Sequence, residues 1–175
     1  MPSSTFVKTM ARYNRWQNAS LYAAADSLSD DDRRKDRGAY FKSIHATFSH
    51  LLWADHMWLS RISDAPKPST PLSESASYRD DWDSLKQDRR ACDERLIVWA
   101  DAVTDDWLAG DLIWRSSLMQ SDMIKPKWLV VSHIFNHQTH HRGQTHALLT
   151  GLGQPATELD LLFFQREQAK AASSA

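Results

Sequence analysis

The chain has one cysteine, Cys92, in 175 residues. A single thiol cannot close an internal disulfide, and there is no CxxC pair or Cys/His zinc-finger spacing, so any metal site has to be built from histidine and carboxylate. A nucleophilic cysteine needs a low-pKa setting that no nearby residue certifies, so Cys92 is read as an inert structural residue. Glycine is scarce, at 5, and neither GxGxxG nor GxxxxGK[ST] occurs, which removes the usual phosphate-cradling loops. No apolar run reaches about 18 residues, so no transmembrane helix is expected. The opening MPSSTFVKTMARYNRW has no basic stretch followed by an apolar block. A secretory signal is therefore not expected, and the cytoplasm is the expected compartment. Charge of one sign is lacking too: the net charge is −1, with acids and bases interspersed. No broad basic patch is left to neutralise a phosphate backbone, which argues against nucleic acid as a partner.

What remains is 42% hydrophobic and 25% charged residues, with the apolar segments separated by polar ones. This is the composition of a soluble globular protein, long enough to bury a core without staples. One domain over residues 1–170 is expected, with a disordered tail at 171–175. Eight tryptophans are many for this length and suit a core, a pocket wall or an interface.

Apolar spacing predicts a first long helix from Ser4 to about Leu28 and a charged loop or helix start over Ser29–Arg37. A second helix is predicted over Tyr40–Ile62, a proline-bearing loop over Asp64–Ser77 and a third helix over Tyr78–Val103. Trp107–Met123 suits a short extended excursion or hairpin. Pro126 is placed in the first turn of a fourth helix that Gly151 and Gly153 end. Thr157–Gln168 gives a short fifth helix. Four long helices plus a short one indicate an all-α four-helix bundle, where sites are built from side chains on facing helices.

The stretch Trp128–Leu149 holds five of the eight histidines: His133, His137, His140, His141 and His146. At about 100° per residue, Val130, His133, His137, His141, Gln144 and Leu148 share one stripe, expected to point inward. His137 and His141, spaced i, i+4, can reach a single ion. Buried imidazoles each need partners for a donor and an acceptor, which favours metal over a purely structural polar layer. The third ligand must come from another helix. His45, His50 and His56 lie at different positions around the second helix, and periodicity does not choose among them; His50 shares a side with Trp53 and Met57. His133 is the substitute ligand. His45, His56, His140 and His146 are individually read as ordinary structural histidines, with His140 also placed to support a ligand. Gln144, one turn beyond His141, is placed to touch an open-site ligand or support the metal. Arg142 projects elsewhere and is read as an ion pair or interface contact.

The phrase HIFNHQTHHRGQ (His133–Gln144), with Tyr13-Asn14-Arg15-Trp16 and His50-Leu51-Leu52-Trp53-Ala54-Asp55, resembles the DinB family of bacterial metal-binding bundles, also called DinB/YfiT-like, across most of the chain. The resemblance implies a divalent metal, such as Zn, Ni, Fe, Mn or Co, held by His50, His137 and His141, all of which are present. It also implies a homodimer acting on a small-molecule substrate. A relation to transferases that use a low-molecular-weight thiol such as bacillithiol, mycothiol or glutathione, and to maleylpyruvate isomerase, is implied as well. A non-catalytic metal-binding or stress-response protein and a metal-dependent hydrolase are the alternative expectations. Three neutral imidazoles on one cation leave positions for water or substrate.

Overall fold

Short polar side chains start the helices by accepting from amides that have no partner within the helix. Ser3 accepts from Phe6 N and opens α1, Ser4–Asp26. Ser29 accepts from Asp32 N and opens the short α2, Asp30–Arg34. Ser43 opens α3, Ile44–Ile62, and Asp81 opens α4, Trp82–Ala102. Thr104 caps α5, Asp105–Ala109. An antiparallel hairpin follows, β1 (Asp111–Ser116) with β2 (Ser121–Pro126), in the register Ile113↔Ile124. The long α6 spans Lys127–Gly151 and α7 spans Leu161–Ser173. The computed structural model describes residues 1–116, 118–155 and 158–173.

The long elements match their predicted positions, and the differences have local causes. α3 starts four residues later than predicted because Lys42 takes a left-handed backbone (φ 68) and Ser43 then caps. Residues 39–42 form a bridged turn, with Ala39 paired to Lys42. α4 likewise starts at its Asp81 cap instead of at Tyr78. Part of the predicted 64–77 loop winds into a 3-10 helix, Leu72–Ser77. Pro126 ends β2 and stands just before α6, so it is not in the helix's first turn. Thr157, the predicted start of the last helix, lies outside the described residues; the helix begins at Leu161 and passes Gln168. α6 ends as predicted: Gly153 (φ 71) lets its own amide reach Thr150 O and that of Gln154 reach Leu149 O.

The protein is mostly helical with one small sheet. α1 packs on α4 and α6, and α3 packs on the same two. The hairpin leans on α6, and the 3-10 helix lies against α3. The core joins Val7, Leu21, Phe48, Leu52, Leu85 and Val131 with residues of every long helix. Each fully buried aliphatic or aromatic side chain contributes about 1.5–3 kcal/mol. Cys92 is fully buried in it, and burial pushes its thiol far above the usual range, in accord with an inert role. Among the described residues no helix is long and apolar enough to cross a membrane.

All four long helices also send polar side chains into one buried network. Asp55 of α3 accepts from Arg89 Nη1 of α4 at 2.5 Å and from Gln138 Nε2 of α6 at 2.8 Å. Arg89 Nη2 stands 2.9 Å from Asp93 Oδ1, at ion-pair distance without hydrogen-bond geometry. Asn14 and Asn18 of α1 donate to Asp93 at 3.1 and 2.9 Å. Arg142 donates to Asn14 Oδ1. Arg142, read as an ion pair or interface contact, is instead a core residue whose guanidinium bonds an amide of α1. Burial lowers its guanidinium to about 10, against the raising effect of Asp55 and Asp93.

Candidate metal centre

α6 carries its histidines at the border of its buried face. The innermost line is Val131, Ile134, Phe135, Gln138, Arg142, Thr145 and Leu149, whereas His133 is exposed and His137 only half-buried. The predicted stripe is thus rotated toward solvent, which lets it open onto a cavity. His137 and His141 face His50 of α3 there. His141 Nε2 lies 3.1 Å from His137 Nε2, and His50 Nε2 lies 3.4 Å from the same atom. The ligand atoms of the three residues all fall within 4.8 Å of one another. Nitrogens bound at about 2.0–2.1 Å to a common tetrahedral ion stand about 3.3 Å apart, so the spacing fits one cation.

The outer ring nitrogens have partners that favour this arrangement. His141 Nδ1 is 2.9 Å from Gln144 Oε1, which accepts only, so the ring proton sits on Nδ1 and Nε2 is a bare lone pair. The same amide turns its nitrogen to His140 Nε2 at 3.2 Å, so Gln144 holds both imidazoles. His50 Nδ1 is 2.9 Å from Ser75 Oγ, which the 3-10 helix supplies. Phe41 stacks on His50 with centroids 3.9 Å apart. Three imidazole nitrogens brought this close form a donor set that fits a divalent metal.

Electrostatics agree. Burial first, then the neighbouring His141 and His137, lower His50 to about 3. Burial, then His141, lowers His137 to about 4, and burial lowers His141. All three imidazoles are neutral near pH 7 and available as ligands. The metal-free protein is accordingly expected to lose stability in acid. His50, His137 and His56, the last also lowered to about 4 by burial, bind protons in the folded state only well below the ordinary 6.5. Between pH 6.5 and 4 the unfolded chain holds more protons, so stability is complete above 6.5 and falls as pH drops through this window. Urea midpoints at several pH values check this; a flat profile from pH 7 to 4 would contradict it.

The three Nε2 atoms open into a cavity of about 440 Å³ whose other walls include Tyr40, Phe41 and Leu72. Among the described residues this is the one group of three or more His, Cys, Asp or Glu placed to share an ion. Of the other histidines, His140 lines the same cavity, while His45, His56 and His133 do not. His45 Nε2 is 2.8 Å from Arg79 O, and His56 Nδ1 is 3.0 Å from Tyr78 Oη. His133 packs on Trp58 and is not in the triad. Sequence reasoning missed Ser75 and Phe41; the serine sits in a stretch read as loop, and its only signal was nearness to a proline-bounded turn.

The sequence model described as the DinB family matches residues 1–172, nearly the whole chain. None of the curated proteins matches it.

Proposed function

The chain belongs to the DinB family, and from that premise we propose that it is a divalent-metal-binding four-helix bundle and a metal-dependent enzyme of the thiol S-transferase type. His50, His137 and His141 are the ligands in this reading. It acts in the cytoplasm as a homodimer on a small-molecule substrate, with a low-molecular-weight thiol as co-substrate. The observation that carries it is the convergence of three neutral Nε2 atoms at the wall of a cavity instead of inside closed packing. A protein ligand set of three leaves coordination positions free, as catalytic sites do and closed structural sites do not. The bound ion supplies Lewis acidity and lowers the pKa of a thiol or water that it coordinates.

The chain's own residues set the rest. Gln144 and Ser75 fix the rings of His141 and His50, so that their Nε2 atoms point at one place. Phe41 covers His50 and keeps water from its face. Among the described residues no cysteine lines the cavity, so the thiol of this reading comes from solution.

The test is metal analysis of the purified protein followed by a panel of thiols (bacillithiol, mycothiol, glutathione) with electrophiles. Thiol-dependent turnover that a chelator abolishes is expected. Bound metal that raises the melting temperature, with no thiol binding and no turnover, would replace this reading with a non-catalytic metal protein. Turnover with water alone would make it a hydrolase.

A further inference from the structure

The cavity in front of the three imidazoles lacks any Lys, Arg, Asp or Glu among its lining residues. Two of its polar side chains are already committed, the Ser75 hydroxyl to His50 and the Gln144 amide to His141 and His140, which leaves the Tyr40 hydroxyl and the outer nitrogen of His140. Beside His140, what faces solvent is the group Tyr40, Phe41 and Leu72. Tyr40 is 80% exposed and Leu72 is 45% exposed, and Phe41 sits edge-on to Tyr40 with centroids 4.9 Å apart. The turn carrying Tyr40 and Phe41 is bounded by two left-handed residues, Gly38 (φ 76) and Lys42 (φ 68). A lysine held there is strained, and such strain persists where the surroundings fix the chain, so the aromatic pair is presented by a defined turn. Cations are not scarce elsewhere. A separate groove of about 590 Å³ between α1, α4 and α7 is walled by Arg12, Arg15, Lys86 and Arg90.

We infer that the part of the molecule seated at the imidazole cluster is uncharged apart from its donor atom and carries an aromatic or bulky apolar group, set against Tyr40, Phe41 and Leu72. This rests on the metal reading above and narrows its substrate. One anionic donor atom is matched by the cation. A second anionic group entering the cavity meets no lysine or arginine and loses hydration, whereas an aryl group gains apolar contact. Dicarboxylates are thereby selected against, and the ionised ends of a peptide-like thiol remain outside the mouth.

The probe is the cobalt-loaded protein, whose visible ligand-field bands report thiolate binding at the ion directly, without turnover. Three thiols separate the contributions: propanethiol, benzyl mercaptan with an added ring, and 2-mercaptoethanesulfonate with an added charge that coordinates poorly. Benzyl mercaptan is expected to bind at least about tenfold more tightly than propanethiol, the scale of burying much of a phenyl group. The sulfonate is expected to bind more weakly than propanethiol. Tyr40→Ala and Leu72→Ala each narrow the gap between benzyl mercaptan and propanethiol, compared on the cobalt-bound protein. Equal affinities for benzyl mercaptan and propanethiol, or tightest binding by the sulfonate, would overturn the inference and leave the metal reading intact. Failure to take up cobalt would overturn the metal reading, and this inference with it.

Discussion

His137→Ala is expected to abolish stoichiometric metal binding. Its Nε2 is the atom the other two share, 3.4 Å from that of His50 and 3.1 Å from that of His141. Without it, two nitrogens face a cavity with no carboxylate to substitute. Loss of an outer hydrogen-bond partner alone costs roughly 10–100-fold in affinity, and loss of the shared ligand should exceed that. The stabilisation that metal confers should vanish with it. At a free-metal concentration 100 times the dissociation constant this is about 2.7 kcal/mol, worth about 5–10 °C in a chain of this length. Metal analysis and paired melts with and without chelator measure both. His133→Ala is the control and should keep its metal, because His133 packs on Trp58 outside the triad. Unchanged metal content in His137→Ala would end the three-histidine assignment.

That two of the three histidines were legible in the sequence, and the third was not, has a physical reason. His137 and His141 lie on one helix, where an i, i+4 spacing fixes their relation whatever else the chain does. His50 lies on α3, whose buried residues run almost all the way round it, from Ile44, His45 and Thr47 to Met57, Leu59 and Ile62. A helix buried on nearly every side has no single stripe for periodicity to find. The resemblance to a family selected His50; what places it in the structure is packing against the 3-10 helix and the stack with Phe41. The long helices were legible from their apolar spacing, while Lys42 and Ser75 depend on local backbone turns that no periodicity records. The core position of Arg142 was not legible, because charged side chains are seldom fully buried. Its surroundings come from Asn14, Asp55 and Asp93 on three other helices, a relation that spacing within α6 does not contain.

Those same residues define the second large effect, expected for Asp55→Ala. Asp55 is 3% exposed and joins α3 to Arg89 of α4 and Gln138 of α6. The buried network holds two guanidinium groups, Arg89 and Arg142, and two carboxylates, Asp55 and Asp93. Removing one carboxylate leaves two cations to share Asp93, in a place where water cannot reach to screen them. Breaking a buried ion pair from one side costs about 3–5 kcal/mol, a large part of the roughly 5–15 kcal/mol that holds a domain folded. Asp93 cannot make up the difference, because burial already raises its pKa and works against its charged form. Urea unfolding of the metal-free protein isolates this effect from the metal centre. The pairing argument also fixes what a second substitution should do. Asp55→Leu combined with Arg89→Met removes both charges and refills the volume, so the double variant should be more stable than Asp55→Ala alone. A loss below about 1 kcal/mol for Asp55→Ala, or a double variant less stable than the single one, would show that packing around the network, and not charge balance, sets its contribution.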